Sequence, residues 1–443
     1  RIKRKVKVIS SSNIDMPRKN KNQQDNDKKL KGETTHDGDG QMAKNDIIAT
    51  NSAKKKGQYF TKSEYLKKQV NELISKNQSD ILEPSFGRGD LVEYVTSMND
   101  NDDIAFDMYE IDETIPLLPS LHSLKTNNIF YNDFLKVEIS KKYDTIIGNP
   151  PYVRTSQGNL FLDFTQKCFD ILNDDGELIF IVPSEFFKLT SATKLLNDMM
   201  AKGTFTHIVH PNDESLFENA SVDVIVYRYC KNNSLEKKVL YNDELMYITN
   251  SNGLITFSRY KNESTVLFKD LFDIHVGLVT GKEKVYKHKT LGNIHVLNGE
   301  DNLEKYIHVE SFPHENKEIN DHLTKYKSEL IGRRIRKFNE NNWFEWGALR
   351  NIDKMRENMG SECIYLYNLT RKPKVCFVGN VNYFGGGLIM LRLKGHSSYD
   401  INKIATYINS DDFKTNFMFS GRFKIGHRQI SNSYIPLDYL VKI

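Results

Sequence analysis

The segment 146–154, I-I-G-N-P-P-Y-V-R, places an amide, two prolines and a tyrosine directly after an apolar run. Proline lacks an amide hydrogen and fixes its own backbone angle, so two in succession must end a central strand. The Asn149 side-chain oxygen and the Pro150 carbonyl are hydrogen-bond acceptors, and the paired prolines hold that carbonyl rigidly. Tyr152 adds an aromatic face beside them. The paired prolines account for the end of the strand, but the amide before them and the aromatic ring after them need a further explanation.

Three earlier apolar runs also end in residues that could bind a ligand. The first ends L-E-P-S-F-G-R-G-D-L, where Gly87 and Gly89 permit a tight turn and close approach to a nucleotide-like ligand. Glu110 ends the second run about 23 positions after Gly87, near the spacing at which an acidic side chain accepts ribose hydroxyls. Asp133 and Phe134 end the third, and they suit an exocyclic amine and an adenine ring. Each acidic residue alone is equally well explained as a helix cap, but the four run ends in order favour a nucleotide-like cofactor.

The elements that must position these residues alternate between helix and strand. Thr61 and Glu64 have capping-box spacing, and a helix is predicted to start there with Leu66 and Val70 on its buried face. Strand-like apolar runs follow at 81–82, 104–109, 128–131, 145–147, 178–182, 206–209 and 222–229. Strands that alternate with helices predict an α/β fold with an open, mostly parallel sheet, whose ligands lie at the carboxyl ends of the strands.

Composition divides the chain into three predicted regions. Residues 1–56 hold 15 Lys or Arg against 7 Asp or Glu without any apolar period, which predicts a disordered basic tail. Residues 57–250 carry the motifs, and residues 251–443 change to short strands and basic-aromatic clusters, which predicts a second domain. Residues 331–443 hold 18 Lys or Arg against 9 Asp or Glu, a balance that suits a polyanion, although a solvated surface explains any one lysine run equally well.

The sequence also predicts several absences. No window has the roughly 18 uninterrupted apolar residues of a membrane span, and the first residues lack the apolar run of a signal peptide. The four cysteines form no C-x-x-C pair and are expected to be buried, reduced thiols rather than metal ligands. We therefore expect a monomeric, metal-free, cytoplasmic protein, with the basic tail a nuclear address if the host is eukaryotic.

The ordered motifs resemble those of the gamma-class, Taq-type DNA adenine-N6 methyltransferases of type II restriction-modification systems. The resemblance runs from about residue 57 to the carboxyl terminus. The segments G-Q-Y-F-T, E-P-S-F-G-R-G, Y-E-I-D and N-D-F are similar to the family's cofactor motifs, N-P-P-Y to its catalytic motif, and L-F-E-N-A-S-V-D-V-I-V to its last motif. The resemblance implies a Rossmann-like S-adenosylmethionine-dependent methyltransferase fold, followed by a C-terminal α+β target-recognition domain that binds double-stranded DNA.

The resemblance and the basic clusters together assign residues to three sites. The cofactor residues are Tyr59, Thr61, Glu83, Pro84, Ser85, Gly87, Gly89, Glu110, Ile111, Asp133, Phe134 and Asn149. The catalytic residues are Asn149, Pro150, Pro151, Tyr152 and Phe217. The DNA-binding residues are Arg333, Arg334, Arg336, Arg422, Lys424 and Arg428, each of which is also explained as a phosphate contact or plain surface.

The implied chemistry explains the composition of the N-P-P-Y segment. An adenine amine is a poor nucleophile, and two acceptors that draw its hydrogens favour a pyramidal, reactive nitrogen. Tyr152 would stack on the base, which must be flipped out of the duplex to be reached. Phe217 is the candidate for the second face, and a core phenylalanine is the alternative. No metal or general base is needed.

Other readings stay open at this stage. The N-P-P-Y motif also serves RNA adenine and protein glutamine-N5 methyltransferases, and cytosine-N4 transfer is chemically close. A catalytically silent DNA-binding protein is a further alternative, and a separate cognate restriction endonuclease is left open as a partner.

Overall fold

The structure is a computed structural model, and it describes residues 60–75, 80–99, 104–123, 127–156, 158–217, 221–395 and 399–442. The predicted basic tail, residues 1–56, and the predicted cofactor residue Tyr59 lie outside the described residues. Every described residue belongs to one unit of the chain, which spans residues 50–443.

A ten-stranded sheet forms the first part of this unit. Its strands are β1 (Asp80–Glu83), β2 (Ala105–Glu110), β3 (Asn127–Tyr131), β4 (Tyr143–Gly148), β5 (Leu172–Pro183), β6 (Thr204–Val209), β7 (Val224–Cys230), β8 (Lys238–Tyr241), β9 (Glu244–Ser251) and β10 (Leu254–Ser258). The spatial order is β10-β9-β8-β6-β7-β5-β4-β1-β2-β3. Strands β1 to β5 are all parallel to one another, whereas β7 runs antiparallel to both β5 and β6.

Four helices cover the two faces of this sheet. They are α1 (Glu64–Leu73), α2 (Asp90–Met98), α3 (Leu160–Ile171) and α4 (Thr193–Lys202). Because side chains alternate along a strand, Ile179 and Ile181 of β5 pack with residues of α1 and α2, while Leu178 and Phe180 pack with residues of α3 and α4. Both faces are therefore buried, as expected of a sheet built from strand-helix units.

The second part of the unit, after Ser258, combines antiparallel sheets with short helices. The strands are β11 (Thr265–Leu267), β12 (Phe272–Val276), β13 (Ile294–Gly299), β14 (Asn302–Tyr306), β15 (Glu362–Tyr367), β16 (Leu369–Thr370), β17 (Cys376–Asn380), β18 (Leu388–Leu393), β19 (Met418–Phe419), β20 (Arg422–Lys424) and β21 (Tyr434–Pro436). The helices are α5 (Phe268–Leu271), α6 (Glu283–Tyr286), α7 (Lys317–Lys325), α8 (Lys327–Ile331), α9 (Ile352–Glu357), α10 (Ile401–Ile408), α11 (Asp411–Lys414) and α12 (His427–Ser431). The order β12-β18-β15-β17 gives a four-stranded sheet with one apolar cluster on each face.

The α/β class and the α+β organisation of the C-terminal part are confirmed. Each of the seven predicted apolar runs overlaps one of the strands β1 to β7. Two predictions need correction. The sheet is mixed rather than mostly parallel, because β7 is reversed and β8 to β10 add an antiparallel extension. The first helix begins at Glu64 with Ser63 as its cap, so Thr61 does not cap it. The division of the chain near residue 250 stays a prediction.

Candidate cofactor and base site

The glycine-rich turn after β1 folds back onto the end of β2. Gly87 has a φ of +58°, in the left-handed region that favours glycine, and a Cβ there would lie 3.1 Å from the Phe60 ring. Its backbone N–H donates to Glu110 Oε2 at 3.0 Å, and the Phe86 N–H donates to the Tyr109 carbonyl at 3.0 Å. The two predicted cofactor motifs are therefore bonded to each other.

Two carboxyl groups near this turn are buried. Burial raises the pKa of Glu110, although N–H groups of Asp112, Gly87 and Ile111 donate to its carboxylate and oppose that rise. Burial also raises the pKa of Glu83 well above its usual value, and repulsion from Asp90 and Glu110 adds to the effect. Glu83 Oε2 has no hydrogen-bond partner among the described residues. Burial therefore favours the protonated form of Glu83 over the ionised form more strongly than in a solvated glutamate.

The segment after β3 supplies an acidic group and an aromatic wall. Asp133 Oδ1 accepts from the Leu135 N–H at 3.1 Å, and Oδ2 lies 2.9 Å from Lys136 Nζ. The buried Phe134 ring stacks on Phe164 with centroids 5.6 Å apart. The carboxylate is thus fixed in place beside an apolar surface.

The N-P-P-Y segment follows β4 at the carboxyl edge of the sheet, next to the glycine-rich turn. Asn149 Nδ2 donates to the buried Thr61 hydroxyl at 3.0 Å, which fixes the orientation of the amide. The Tyr152 hydroxyl lies 2.5 Å from Asn149 Oδ1 and 3.0 Å from the Ile181 carbonyl oxygen. The Ser85 hydroxyl lies 3.5 Å from the Asn149 carbonyl oxygen.

Tyr152 and Phe217 are in contact with each other. Their ring centroids are 6.3 Å apart and the planes meet at 83°, an edge-to-face arrangement with the Phe217 side chain buried. Two rings at this angle leave no parallel slot between them. A flat ligand could enter between them only if one ring turned.

The structure brings most of the predicted cofactor residues together around one cleft of about 790 Å³. Those that line it are Pro84, Ser85, Gly87, Glu110, Ile111, Asp133, Phe134 and Asn149, together with the predicted catalytic residue Pro151. Those that do not line it are Thr61, Glu83, Gly89, Pro150, Tyr152 and Phe217. Its wall also contains Phe60, Asp112 and Asn132, which lie inside the predicted cofactor motifs but were not assigned to the site. The further wall residues, which those motifs do not include, are Glu113, Thr114, Ile115, Tyr131, Leu135, Val153, Leu160 and Phe164. Most of these are neighbours of predicted residues, so motif boundaries drawn two residues wider would have included them.

The predicted DNA-binding residues have differing environments. Arg334 and Arg422 are exposed. Arg336 lies 2.5 Å from Glu345, and Lys424 pairs with Glu185 at 2.6 Å. These four positions are accessible from solvent.

Arg333 and Arg428 instead hold the structure together. The buried Arg333 guanidinium donates to the carbonyls of Leu330, Thr280, Trp343 and Glu345 at 2.7 to 2.9 Å. This placement fits a structural role, in which Arg333 joins three segments of the chain, better than the predicted contact with DNA.

Arg428 donates to the Thr193 hydroxyl at 2.7 Å and to the Asn252 carbonyl at 2.8 Å. Both partners belong to the first part of the unit, whereas Arg428 belongs to α12. Arg428 therefore joins the two parts of the unit. This placement too fits a structural role better than the predicted contact with DNA.

The cleft suits a nucleoside-containing cofactor. Its volume falls within the usual range of about 300–1,000 Å³ for small-molecule sites. The absence of a Cβ at Gly87 keeps the backbone open, Glu110 and Asp133 offer acceptors, and Ile111 presents an apolar side chain that is 67% exposed. An apolar side chain at this position is a surface that a flat ring would cover.

The fold and the cleft define the class of protein. The fold is the Rossmann-like fold of S-adenosylmethionine-dependent methyltransferases. Its strand order is β3-β2-β1-β4-β5-β7-β6 with a single reversed strand, and its cleft lies at the carboxyl edge of the sheet. Residues 19–217, less than half of the chain, match the family model of the Eco57I restriction-modification methylases. The predicted resemblance to type II restriction-modification methyltransferases is confirmed.

Known relatives share parts of this chain. The chain is 28% identical over 202 residues to type II methyltransferase M.HincII of Haemophilus influenzae. The aligned stretch covers 41% of this chain and 38% of the relative. The chain is 25% identical over 255 residues to type II methyltransferase M.AccI of Acinetobacter calcoaceticus, 51% of this chain and 46% of the relative. The matches thus span less than half the length of these relatives.

A solved structure shares the fold over a longer stretch. The type IIL restriction-modification enzyme MmeI, solved in complex with DNA, superposes with a TM-score of 0.51 at 9% identity, covering 87% of this chain and 65% of that one. The likeness extends beyond the ten-stranded sheet into the C-terminal part.

The described ranges also bear on membrane spans, metal sites and the cysteines. None of the helices there is long and apolar enough to cross a membrane. No group of three His, Cys, Asp or Glu side chains in those ranges could hold a metal ion. The four cysteines are all buried free thiols, as predicted.

Proposed function

We propose that this protein is a DNA adenine-N6 methyltransferase that transfers a methyl group from S-adenosylmethionine to a base flipped out of duplex DNA. The observation that carries the proposal is the position of the Asn149 amide. It lies at the rim of the cofactor cleft, fixed by Thr61 on one side and facing the Tyr152 hydroxyl on the other. An amide held in this way is a preorganised acceptor for the amine of a base.

The residues of the cleft would divide the binding of the cofactor. Glu110 would accept from the ribose hydroxyls through Oε2, because the Gly87 N–H leaves that oxygen with a further acceptor site, whereas Oε1 already accepts from the N–H groups of Ile111 and Asp112. Asp133 would accept from the adenine amine, and Ile111 and Phe134 would pack against its ring. When bound, S-adenosylmethionine supplies an electrophilic methyl group.

The N-P-P-Y segment would bind and orient the base. Asn149 Oδ1 and the Pro150 carbonyl would accept the two amine hydrogens, which makes the nitrogen more basic. Tyr152 would stack on the base face, a contact worth roughly 1 to 3 kcal/mol. Base entry requires Tyr152 or Phe217 to turn, because the two rings now meet edge to face.

The C-terminal part would bind the duplex and select the site. The exposed Arg334, Arg336, Arg422 and Lys424 support this role, because phosphate neutralisation supplies most non-specific affinity for DNA. Similarity to proteins named as type II methyltransferases supports DNA as the substrate. The fold shared with MmeI, an enzyme solved in complex with DNA, supports the same substrate.

The test is methylome sequencing of unmethylated genomic DNA incubated with the protein and S-adenosylmethionine. We expect N6-methyladenine within one short sequence context. Tritiated S-adenosylmethionine offered in parallel to duplex DNA, total RNA and a protein extract identifies the acceptor class. Label in RNA or in protein glutamine with none in DNA would contradict the proposal, as would N4-methylcytosine in the DNA.

A further inference from the structure

Asp223 is a buried carboxylate at the same sheet edge as the candidate base site. It lies immediately before β7, and its carbonyl accepts from the Ser184 N–H, immediately after β5, at 3.0 Å. Because β5 and β7 are antiparallel, the start of β7 lies at the carboxyl end of β5. Strand β5 neighbours β4, which carries Asn149, so Asp223 is one strand removed from the base site.

The Asp223 carboxylate accepts hydrogen bonds from three separate segments. Oδ2 lies 2.7 Å from the Ser184 hydroxyl and 2.9 Å from the Ser420 N–H, and Oδ1 lies 2.9 Å from His210 Nε2. Burial by itself would raise the pKa of Asp223, but the bonds from His210, Ser184 and Ser420 outweigh it and hold the pKa below its usual value. A buried carboxylate with this set of donors is costly to disturb.

Ser420 belongs to the turn of a hairpin in the C-terminal part. Ser420 and Gly421 have φ values of +52° and +63°, the left-handed pair that joins β19 to β20 in a two-residue turn. Strand β20 ends the hairpin and also pairs with β16, which leads into the exposed Arg371 and Lys372. The exposed Arg422 directly follows the turn. The hairpin therefore presents a basic surface while its turn is bound to Asp223.

The segment that carries Phe217 is tied to the same hairpin. It follows β6 at His210, whose Nε2 faces Asp223. Along this segment, hydrogen bonds from the hydroxyls of Ser221 and Ser420 lower the pKa of Glu214, and the charge of Arg422 adds to that effect. Phe217 itself packs on Tyr152. A chain of contacts thus runs from the basic hairpin to the ring proposed to close over the base.

We propose that Asp223 is a positioning residue that couples duplex binding at the hairpin 418–424 to the placement of the Phe217 and Tyr152 rings around the flipped base. The inference rests on the proposed function. Asp223 touches neither the cofactor cleft nor the base site itself, and acts through His210 and Ser420. Loss of its carboxylate would leave the duplex-binding hairpin and the base site intact, but the two would be poorly aligned with each other.

The experiment compares Asp223→Ala and Asp223→Asn with the wild-type full chain on two duplexes that share the methylated site. The first carries the target adenine and gives kcat. The second carries 2-aminopurine in its place, which lacks the 6-amino group and therefore reports base flipping alone. For Asp223→Ala we expect kcat to fall by about tenfold or more, since small misplacements at a reacting centre are that costly. We expect the duplex Kd and the S-adenosylmethionine Kd to stay within about threefold of wild type. The 2-aminopurine emission of the bound complex should differ from wild type, because the flipped base loses its stacking partner.

Asp223→Asn serves as the conservative variant. Its remaining oxygen can accept from Ser184 and Ser420, while its amide faces His210, whose neutral ring can accept at Nε2. We expect it to restore kcat and the 2-aminopurine emission to nearly wild-type values. Asp213→Ala is the matched control, since Asp213 is an exposed acid on the same segment that bonds only locally to Ser215.

Wild-type kcat in Asp223→Ala would overturn the inference, and so would a loss of both affinities in parallel with kcat. If Asp223→Ala melts below the assay temperature, the exposed Arg422→Ala decides the question. Coupling predicts that Arg422→Ala keeps a reduced kcat even at saturating duplex, whereas a full kcat at saturation overturns it. Failure of the proposed function is separate, because it would appear as the absence of methylated duplex with the wild-type protein.

Discussion

Asn149 contacts two hydroxyl groups, and its side chain is therefore oriented before any ligand binds. Thr61 accepts from its nitrogen at 3.0 Å, so its oxygen must face the opposite side, where Tyr152 lies. In Asn149→Ala the acceptor is lost while the surrounding loop keeps its prolines. We expect turnover to fall by about 100-fold or more, as on removal of one preorganised polar group at a reacting centre.

Duplex affinity should survive this change, because the proposed DNA contacts lie in the C-terminal part. Steady-state methylation and fluorescence anisotropy of the same variant provide the measurements. Thr61→Val is the matched companion, since it leaves the amide in place and removes one of the two hydroxyl groups that orient it. A fully active Asn149→Ala would show that the amide has no part in transfer.

Glu83 gives a prediction about pH. Its pKa is raised by burial and by repulsion from Asp90 and Glu110, so the folded state retains a proton that an unfolded glutamate releases near pH 4.5. The folded state therefore binds more protons, and stability declines as pH rises above that value. Glu83→Gln removes this dependence. We expect the variant to gain stability over wild type progressively as the pH rises from 5 upward.

Urea unfolding across that range measures the effect on Glu83→Gln. Glu113→Gln is a suitable control, since Glu113 is exposed at the rim of the same cleft. A constant difference between Glu83→Gln and wild type at every pH would show that Glu83 is ionised when folded.

Between β1 and α2, one glycine turn sets the shape of the cleft. Gly87→Ala would force a Cβ into the left-handed region, at about 1–2 kcal/mol, and place it 3.1 Å from the Phe60 ring. Gly360 also has a positive φ, of +80°, but open space around its Cβ position. Gly360→Ala thus reports the backbone strain alone.

We expect both alanine variants to lower the melting temperature, and only Gly87→Ala to weaken S-adenosylmethionine binding measured by calorimetry. Equal cofactor affinity in the two variants would mean that the turn does not shape the site.

At the level of elements, the strands were predictable and their arrangement was not. The runs at 104–109 and 178–182 are apolar enough to be recognised locally, because strands buried on both faces read as continuous apolar segments. The insertion of β7 between β5 and β6 depends on pairings such as Pro183 with Val224, which lie 41 positions apart along the chain, and no local pattern encodes such a pairing. The hairpins β8 to β10 are local instead, with two-residue turns at Asn242-Asp243 and Asn252-Gly253, and these turn signals were overlooked in the sequence.

The candidate site shows the same division. Motif spacing predicted Gly87 and Glu110, which are bonded to each other, because a turn and a neighbouring strand end meet at one sheet edge. It did not predict that Tyr152 would face Asn149, or that Arg333 would be buried. Those placements depend on side-chain packing between segments, such as the contact of Arg333 with the Phe338 ring at 3.8 Å. Composition alone predicts that an arginine is exposed or contacts nucleic acid. It cannot distinguish such an arginine from a buried one that holds the structure together.

Across the whole molecule, the two parts of the unit meet through a polar and aromatic interface. Asn416 bonds to both the N–H and the carbonyl of Phe257 at 2.8 Å, and Arg428 reaches Thr193 and Asn252. An interface with this many oriented hydrogen bonds fixes one orientation of the C-terminal part. The basic hairpin is consequently held at a constant position relative to the cleft.

Lys188 is buried in this interface, with its ammonium group 5.3 Å from both the Phe257 and the Phe417 ring centroids. Burial lowers the pKa of Lys188 to about 7, whereas an unfolded lysine titrates near 10.5. Between these two values the unfolded state binds the additional proton, so stability should rise with pH over that window. In Lys188→Met the slope should disappear, and the variant should be more stable than wild type at pH 7, where burial of the charge is costly.

Urea unfolding of wild type and Lys188→Met from pH 6.5 to pH 9.5 tests this expectation. Lys194→Met is the matched control, because Lys194 is exposed and its pair with Asp198 is too accessible to contribute much. A wild-type stability that stays flat across the window, or a Lys188→Met variant that unfolds more easily at pH 7, would contradict this expectation. Either result would mean that the Ile255 carbonyl, which accepts from Lys188 Nζ, and the two rings together hold the ammonium in its charged form. In that case the lysine would stabilise the joint between the two parts through its charge, and weakening it should also loosen the hairpin over the candidate site.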